Sequence, residues 1–380
     1  MPSKKTLTLL ISIAVVIILI ITLSLVFGLK KSDEQENKRE EKKSEEEKSD
    51  EKKSEEDDVE IVNSYNNTDE LIKKFPVEYP ISVQDGIEKR IQNRLLTGFE
   101  NWNRGFEAWK KWGDILYTNA SIYNVNGVRL TLAQYQQAMD ISLKKNPIKL
   151  GQFHIMLICV NYTAIFYDDI HIVNGEEKKG TVMEFVHFKD YGEDLGTRVV
   201  VGWGGTKGDS FDSMRKFQDE QGKMLQDELT QLLMNYQVPS SGTLRERYPI
   251  LYPTDYLDKE KADKFIEIIL TGFDKWNSDI DNYISWIDEV YTSNASITVT
   301  DGTEKNIKTY KDYVKTDATD KKIIKLYADN ILVRDDWAAI HYRYRYEYLE
   351  SGKKYVGDRM QFFKFIKEGT DYKIEKTWIK

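Results

Sequence analysis

Apolar residues recur at spacings of four and three in two places: Leu95, Phe99 and Trp102, then Ile269, Phe273 and Trp276. Each set lays one stripe along a helix, predicted over 86–104 and 258–279. Further along each half, apolar and polar positions alternate with period two, as in strands with one buried face. Such strands are predicted near 153–160, 162–173, 180–188 and 197–203, and again near 323–333, 337–349, 355–366 and 372–379. Asn174-Gly175 and Ser351-Gly352 mark hairpin turns between them, so antiparallel sheets are expected. Between helix and meander, each half carries a second short helix (109–116 and 284–290) and a short strand (121–125 and 296–300). The turns Asn126-Gly127 and Asp301-Gly302 follow these strands, and a further short helix surrounds Tyr135 or Tyr310. Helices first and a strand meander afterwards indicate an α+β fold.

The two halves share wording as well as pattern. Leu95-Leu96-Thr97-Gly98-Phe99-Glu100-Asn101-Trp102-Asn103 returns 174 positions later as Ile269-Leu270-Thr271-Gly272-Phe273-Asp274-Lys275-Trp276-Asn277. Phe75-Pro76-Val77-Glu78-Tyr79-Pro80 returns as Tyr248-Pro249-Ile250-Leu251-Tyr252-Pro253, an extended lead-in at 71–81 and 244–254. Tyr117-Thr118-Asn119-Ala120-Ser121-Ile122 returns as Tyr291-Thr292-Ser293-Asn294-Ala295-Ser296-Ile297, and Trp203 and Trp378 close the halves. A tandem duplication of a domain of about 135 residues is expected, with domains at 71–205 and 244–380. The unmatched stretch 206–243 carries Phe211, Met214, Phe217, Leu225, Leu229 and Leu233, which predict a bridging helix over 209–236 before Val238-Pro239-Ser240-Ser241-Gly242 breaks it.

Residues 6–29 hold no charge and are mostly Leu, Ile and Val. As a helix they reach about 36 Å, enough for a bilayer core of about 30 Å. The stretch exceeds the apolar region of a signal peptide and lacks a clear cleavage site, so a retained signal anchor is expected. A short N-terminus before large domains favours placing those domains on the extracytoplasmic side, in a single-pass membrane protein. Residues 30–58 contain 14 acidic and 9 basic residues and nothing apolar, and read as a disordered, charged tether. Asn66, Asn119, Asn161 and Asn294 begin Asn-x-Ser/Thr sequons, which could carry glycans in a secretory lumen.

Charge and composition narrow the chemistry. The net charge of −8 argues against a nucleic-acid partner. One cysteine, Cys159, rules out an internal disulfide or a cysteine-based zinc cluster, and four histidines make a metal site an unfavoured reading. No cofactor is expected.

The Tyr117–Ile122 stretch resembles the Tyr-x-Asp-Asp-Ala-Thr-hydrophobic segment of NTF2-like (SnoaL-like) domains. Phe185-Val186-His187-Phe188 and Phe362-Phe363-Lys364-Phe365 resemble that family's Phe-Arg-Phe strand, each followed by a last strand ending in Trp203 or Trp378. The resemblance covers roughly 85–205 and 258–380. It implies two cones, each a curved antiparallel sheet wrapped by helices around an apolar pocket, and it implies pairing through the sheets. A pseudo-dimer within one chain is therefore expected. The family serves isomerases, dehydratases and polyketide cyclases as well as binding modules, so fold alone does not decide function.

In the steroid-isomerase branch a carboxylate base follows the Ala-Thr-hydrophobic stretch. The matching positions here are Asn124 and Val299, neither of which abstracts a proton at neutral pH. The branch's acid before Phe-Arg-Phe matches Glu184 and Gln361; an apolar setting would raise the Glu184 carboxyl and make it a donor. Tyr167, Asp169 and His171 share a strand face, offering Glu184, His171 and Asp169 as a catalytic set, unless the His–Asp pair stands on the solvent face or rim. A metal site from His154, His171 and His187 would need three strands to converge. In the strand His341-Tyr342-Arg343-Tyr344-Arg345-Tyr346-Glu347-Tyr348, alternation puts the tyrosines on one face and His341, Arg343, Arg345 and Glu347 on the other. A tyrosine ladder lining a pocket or interface fits this better than a single-strand nucleic-acid platform. Tyr167, Glu184, Tyr342, Tyr344 and Gln361 are the candidate ligand contacts.

The expected function is a membrane-anchored, non-catalytic module that binds a small apolar ligand or serves as a scaffold. The alternatives are a cyclase-, isomerase- or dehydratase-type enzyme acting through the first domain, and a pure protein-interaction module.

Overall fold

The apolar stripe of the first long helix, α2 (Ile87–Arg104), buries Ile91, Leu95, Leu96 and Phe99. The computed structural model describes residues 61–62, 68–125, 128–145, 147–173, 175–190, 197–205 and 231–380. The expected membrane span 6–29, the charged tether 30–58, the Asn126-Gly127 turn, Asn66 and all but the end of the bridging helix lie outside them. Among the described residues no helix is long and apolar enough to cross a membrane.

Before α2 come α1 (Thr68–Lys74) and the short strand β1 (Val77–Tyr79). The lead-in is therefore helical in its first part, not extended throughout. After α2 follow α3 (Phe106–Leu116), β2 (Tyr117–Val125), β3 (Val128–Thr131), α4 (Leu132–Lys145), β4 (Ile148–Cys159), β5 (Tyr162–Val173), β6 (Glu176–Asp190) and β7 (Thr197–Gly205). A helical end at 231–235 leads to α5 (Leu244–Arg247), a single turn closed by a Thr243–Glu246 capping box. The second half then runs α6 (Lys259–Ser278), α7 (Ile280–Val290), β8 (Tyr291–Thr298), β9 (Glu304–Asn306), α8 (Ile307–Asp317), β10 (Lys321–Arg334), β11 (Trp337–Tyr348), β12 (Lys354–Glu368) and β13 (Asp371–Ile379).

The strands form a seven-stranded sheet, β1-β4-β5-β6-β7-β2-β3, and a six-stranded one, β10-β11-β12-β13-β8-β9. The meanders β4–β7 and β10–β13 are antiparallel, as their hairpin turns require. The sheets are nevertheless mixed. β2 joins β7 in parallel, β8 joins β13 in parallel, and β1 joins β4 in parallel. These partners are distant in sequence, so no tight turn dictates an antiparallel pairing.

Four residues of the repeated Leu-Thr-Gly-Phe-x-x-Trp-Asn phrase, Gly, Phe, Trp and Asn, have packing tasks. A Cβ on Gly98 would stand 2.5 Å from the Trp112 ring, and one on Gly272 would stand 2.7 Å from Trp286. Glycine thus lets the second helix's tryptophan lie against the first helix. Phe99 packs on Phe153 and Tyr167 at 4.1 and 4.7 Å between ring centroids, and Phe273 packs on Tyr342 at 4.8 Å. Trp102 Nε1 donates to the Ile148 carbonyl at 2.9 Å, and Trp276 Nε1 to that of Ile323 at 3.1 Å.

Asn103 and Asn277 each grip one residue of the facing strand by both backbone groups. Asn103 Nδ2 donates to the Leu150 carbonyl at 2.9 Å while its Oδ1 accepts from Leu150 N at 2.8 Å. Asn277 does the same to Lys325, both at 2.8 Å. Both gripped residues border a shift in the strand register, Leu150/Phe153 and Lys325/Tyr327. The asparagine supplies partners where the ladder is interrupted, and the bulge re-aims the side chain.

The sheet faces turned away from the helices share one apolar cluster. It joins Ile155, Leu157, Cys159, Phe166, Met183 and Phe185 to Leu332, Trp337, Met360 and Phe362. The lead-ins reach across in both directions. Tyr79 packs on Trp337 and Trp378 at 5.3 and 5.5 Å, while Thr254 Oγ1 donates to the Cys159 carbonyl at 3.4 Å. Ser82 donates from N and Oγ to the Asp335 carboxylate, each at 2.7 Å. Glu88 on α2 forms a buried ion pair with Arg334 on β10, and also accepts from Val160 N at 2.8 Å. Residues Val59–Lys380 thus make one compact unit.

Candidate functional site

In the second half, the concave sheet face and helices α6–α8 enclose a cavity with a free volume of about 20 Å³. That is room for a water or a small group, far below the several hundred Å³ of a drug-sized pocket. Its wall includes Tyr342, Tyr344 and Gln361, three of the ligand contacts expected from sequence, and Val299. Two cations that the sequence reading missed, Lys325 and Arg359, line the same cavity. Its lining is therefore not purely apolar.

Lys325 is 7% exposed and sits among four rings. Its Nζ lies 4.8 Å from the centroid of Phe273, 5.0 Å from Trp276, 5.1 Å from Tyr283 and 5.5 Å from Tyr342. Burial, helped by Arg359, pulls its ammonium down to about 7. The one carboxylate in the cavity wall, Asp317, is bound to Lys321 at 2.6 Å, and no described carboxylate forms an ion pair with Lys325 or Arg359. The Arg359 guanidinium lies 5.1 Å over the Tyr344 ring. Gly357 makes room for that tyrosine, since a Cβ there would meet the phenol at 2.7 Å. Tyr283 and Tyr310 touch through their hydroxyls at 3.4 Å, and Tyr291 bonds Thr377 at 3.1 Å, so the polar tips of the cage are tied down.

The tyrosine ladder continues outward. Tyr346 stacks between Tyr344 at 6.0 Å and Tyr355 at 5.2 Å, and Tyr348 is exposed at the sheet's end. On the other face His341 is fully buried, with Asp358 at 2.9 Å from Nε2 and Asp329 at 3.2 Å from Nδ1. Arg343 Nε donates to Asp329 at 2.8 Å. Burial alone would raise the Asp358 carboxyl, but Arg343 and then His341 outweigh it and hold it at about 2. Arg345 donates to the carbonyls of Leu233, Met234 and Tyr236, capping the end of helical segment 231–235. Arg343 and Arg345 thus both serve internal contacts.

In the first half, Tyr167, Glu184, Asp169 and His171 come together on the concave face. The Tyr167 hydroxyl donates to Glu184 Oε1 at 2.8 Å. Asp169 Oδ2 bonds His171 Nε2 closely, and this bond raises the His171 pKa against the opposing effect of burial. Asp169 is only 5% exposed and the His171 side chain is 22% exposed, so the pair is part-buried. Gly180 opposite leaves the space, since a Cβ there would stand 2.4 Å from Asp169 Oδ1. The same strand pairing sets Tyr344 opposite Gly357, so the second half repeats the arrangement with tyrosine in place of aspartate. The side chain of Asn124 lies outside the described residues.

The three histidines of the metal reading do not converge. His154 bonds Glu78 at 2.5 Å and Asp168 at 2.8 Å and lies against Phe166, on the face opposite Asp169. His187 stacks on Tyr162 at 4.2 Å, and burial pulls it down to about 4. His171 is held by Asp169.

Lys325 had one weak signal in the sequence. It occupies the position gripped by the second Asn of the repeat, where the first half has Leu150. Recognising it requires knowing which backbone that Asn holds.

No family model matches the chain, and no curated protein matches it. Among solved structures, a ketosteroid isomerase-like protein from Erwinia carotovora atroseptica SCRI1043 is 11% identical, with a TM-score of 0.27 over 32% of this chain and 95% of that one. An NTF2-like protein of unknown function from Burkholderia pseudomallei K96243 is 7% identical, with a TM-score of 0.26 over 30% of this chain and 88% of that one. The association domain of C. elegans CaMKII is 13% identical, with a TM-score of 0.25 over 32% of this chain and 96% of that one. Each of these structures is alike over about a third of this chain, at an identity that carries no chemistry across.

Proposed function

We propose that this chain is a tandem binding module, two NTF2-like cones paired through their sheets, with a small-molecule site in the second. The carrying observation is the pair Lys325 and Arg359 lining one aromatic cavity, neither in an ion pair with a described carboxylate. Such a site favours a small ligand with an anionic or strongly polar end, its remainder against tyrosine rings. With Val299 and Gln361 at the branch's base and acid positions, binding without turnover is the reading for this cone. Calorimetry of the full chain with short carboxylic acids tests it. Saturable binding weakened by Arg359→Gln supports the reading, and no binding by the unaltered chain sinks it.

A second reading rests on Glu184, Tyr167, Asp169 and His171 sharing the concave face of the first cone. It is an enzyme of the isomerase, dehydratase or cyclase kind, with His171–Asp169 as the acid–base pair and Glu184 as the polarising group. Turnover of an apolar ketone that survives Glu184→Gln would remove Glu184 from that role.

The apolar stretch 6–29 supports attachment to a membrane, with 30–58 as spacer. Fractionation followed by alkaline extraction tests this, since release of the chain into the soluble fraction excludes a spanning anchor. Glycan attachment at the exposed Asn294 would place the domains on the extracytoplasmic side.

A further inference from the structure

Lys325 and Arg359 reach one cavity from opposite sides of a strand. Lys325 on β10 pairs with Tyr344 on β11, and Arg359 on β12 pairs with Tyr342 on β11, so the two cations flank that tyrosine pair. Their heads cross over it. The ammonium lies 5.5 Å from the Tyr342 ring, and the guanidinium 5.1 Å from the Tyr344 ring. Ring faces attract cations, so the four rings around Lys325 suit its ammonium form. They supply no counter-charge. Among the described residues the cavity wall has one carboxylate, Asp317, which is bound to Lys321 at 2.6 Å. Two positive groups therefore face one enclosed space, and buried like charges are costly without an anion beside them. The first cone has Leu150 and Val182 at the two corresponding places, so both cations are present in one cone and both are absent from the other.

We propose that this cavity is a halide site, holding one chloride between the Lys325 ammonium and the Arg359 guanidinium. This rests on the binding reading above and names its ligand as a single-atom anion. The free volume of about 20 Å³ admits a body little larger than a water molecule. Sulfate and phosphate, with four oxygens around a central atom, are too large for it. Water fills such a space too, but leaves the two positive charges unbalanced. Ammonium and guanidinium both offer N–H donors, and the Gln361 side-chain amide in the same wall adds another. The backbone of Lys325 is fixed by Asn277, so its ammonium is already aimed when the anion arrives.

The test follows thermal unfolding of the full chain near pH 6, below the Lys325 value of about 7. Chloride replaces gluconate at fixed ionic strength, and Lys325→Met serves as the comparison that cancels general salt effects. Chloride at about ten times its dissociation constant should raise the midpoint of the unaltered chain by roughly 2–4 °C more than that of the variant. Line broadening in chlorine NMR gives the affinity directly, and Arg359→Gln should weaken it about ten-fold or more. Equal chloride responses in the unaltered chain and in Lys325→Met overturn the site. Calorimetry with formate, the smallest carboxylate, runs in gluconate and in chloride, and chloride should weaken formate binding by competition. Formate binding that chloride leaves unchanged overturns the halide site and leaves the binding reading standing. Binding of neither anion overturns both.

Discussion

Phe185 and Phe362 face each other across the contact between the two sheets, ring centroids 6.5 Å apart. They hold equivalent places, since Phe185 pairs with Trp203 on its last strand and Phe362 pairs with Trp378 on its own. Both are essentially inaccessible to solvent. Equivalent residues meeting one another is what a self-complementary interface produces on its axis.

Truncating either ring should cost about 3–5 kcal/mol, because the cavity it leaves is walled by two sheets that cannot both collapse. The double variant Phe185→Ala with Phe362→Ala should cost less than the sum, by roughly 0.5–1.5 kcal/mol. Urea denaturation of the four proteins checks this. Strict additivity would mean that the rings do not meet in solution.

Gly98→Ala and Gly272→Ala should each destabilise by about 1–3 kcal/mol, although alanine is the better helix former by roughly 1 kcal/mol. The sign turns on Trp112 and Trp286, whose rings occupy the space a methyl needs. Thermal unfolding measures it, and pairing Gly272→Ala with Trp286→Leu should recover part of the loss.

Asn277→Asp should cost about 1–3 kcal/mol, because it removes the amide donor to the Lys325 carbonyl and sets a carboxylate against it. Asn277→Ala should cost a similar amount. Both should also broaden or shift the Lys325 signals in an NMR spectrum, since the bulge that aims the side chain loses its brace.

Lys325→Met should raise stability at neutral pH by on the order of a few kcal/mol. The sign follows from proton counting. The folded pKa of about 7 lies below the ordinary lysine value of 10.5, so the unfolded chain holds more protons between those pH values. Stability of the unaltered chain therefore rises with pH across that window, and the advantage of the Lys325→Met variant shrinks over it. Arg359, Asp317 and the phenols of Tyr283, Tyr310, Tyr313, Tyr342 and Tyr344 line the same space. Burial raises the phenols of Tyr283, Tyr310 and Tyr342, so these three stay neutral over most of the range. Denaturation midpoints measured from pH 6 to pH 10 decide it (about the range over which the lysine sheds its proton), and a constant difference would sink the claim.

Most elements were legible because their patterns are local. The stripe Leu95, Phe99, Trp102 specifies a helix wherever it occurs, and alternation with a Ser351-Gly352 turn specifies a hairpin. The division of His341-to-Tyr348 into a tyrosine face and a charged face followed from period two alone. What each face meets was not local. Arg343 and Arg345 look like surface charges in sequence, yet one is held by Asp329 and the other caps a helix end more than a hundred residues upstream.

The sequence by itself determined the helix-then-meander order and which residues share a strand face, because backbone geometry fixes both within a few residues. It also set Tyr167, Asp169 and His171 on one face of their strand. Only the tertiary structure decided that β2 and β8 close their sheets in parallel, and that Phe185 meets Phe362. It alone decided that Lys325 points into a ring of aromatics. Each of these depends on contacts across long stretches of chain, and Lys325 depends on a bulge whose open backbone only a distant asparagine completes.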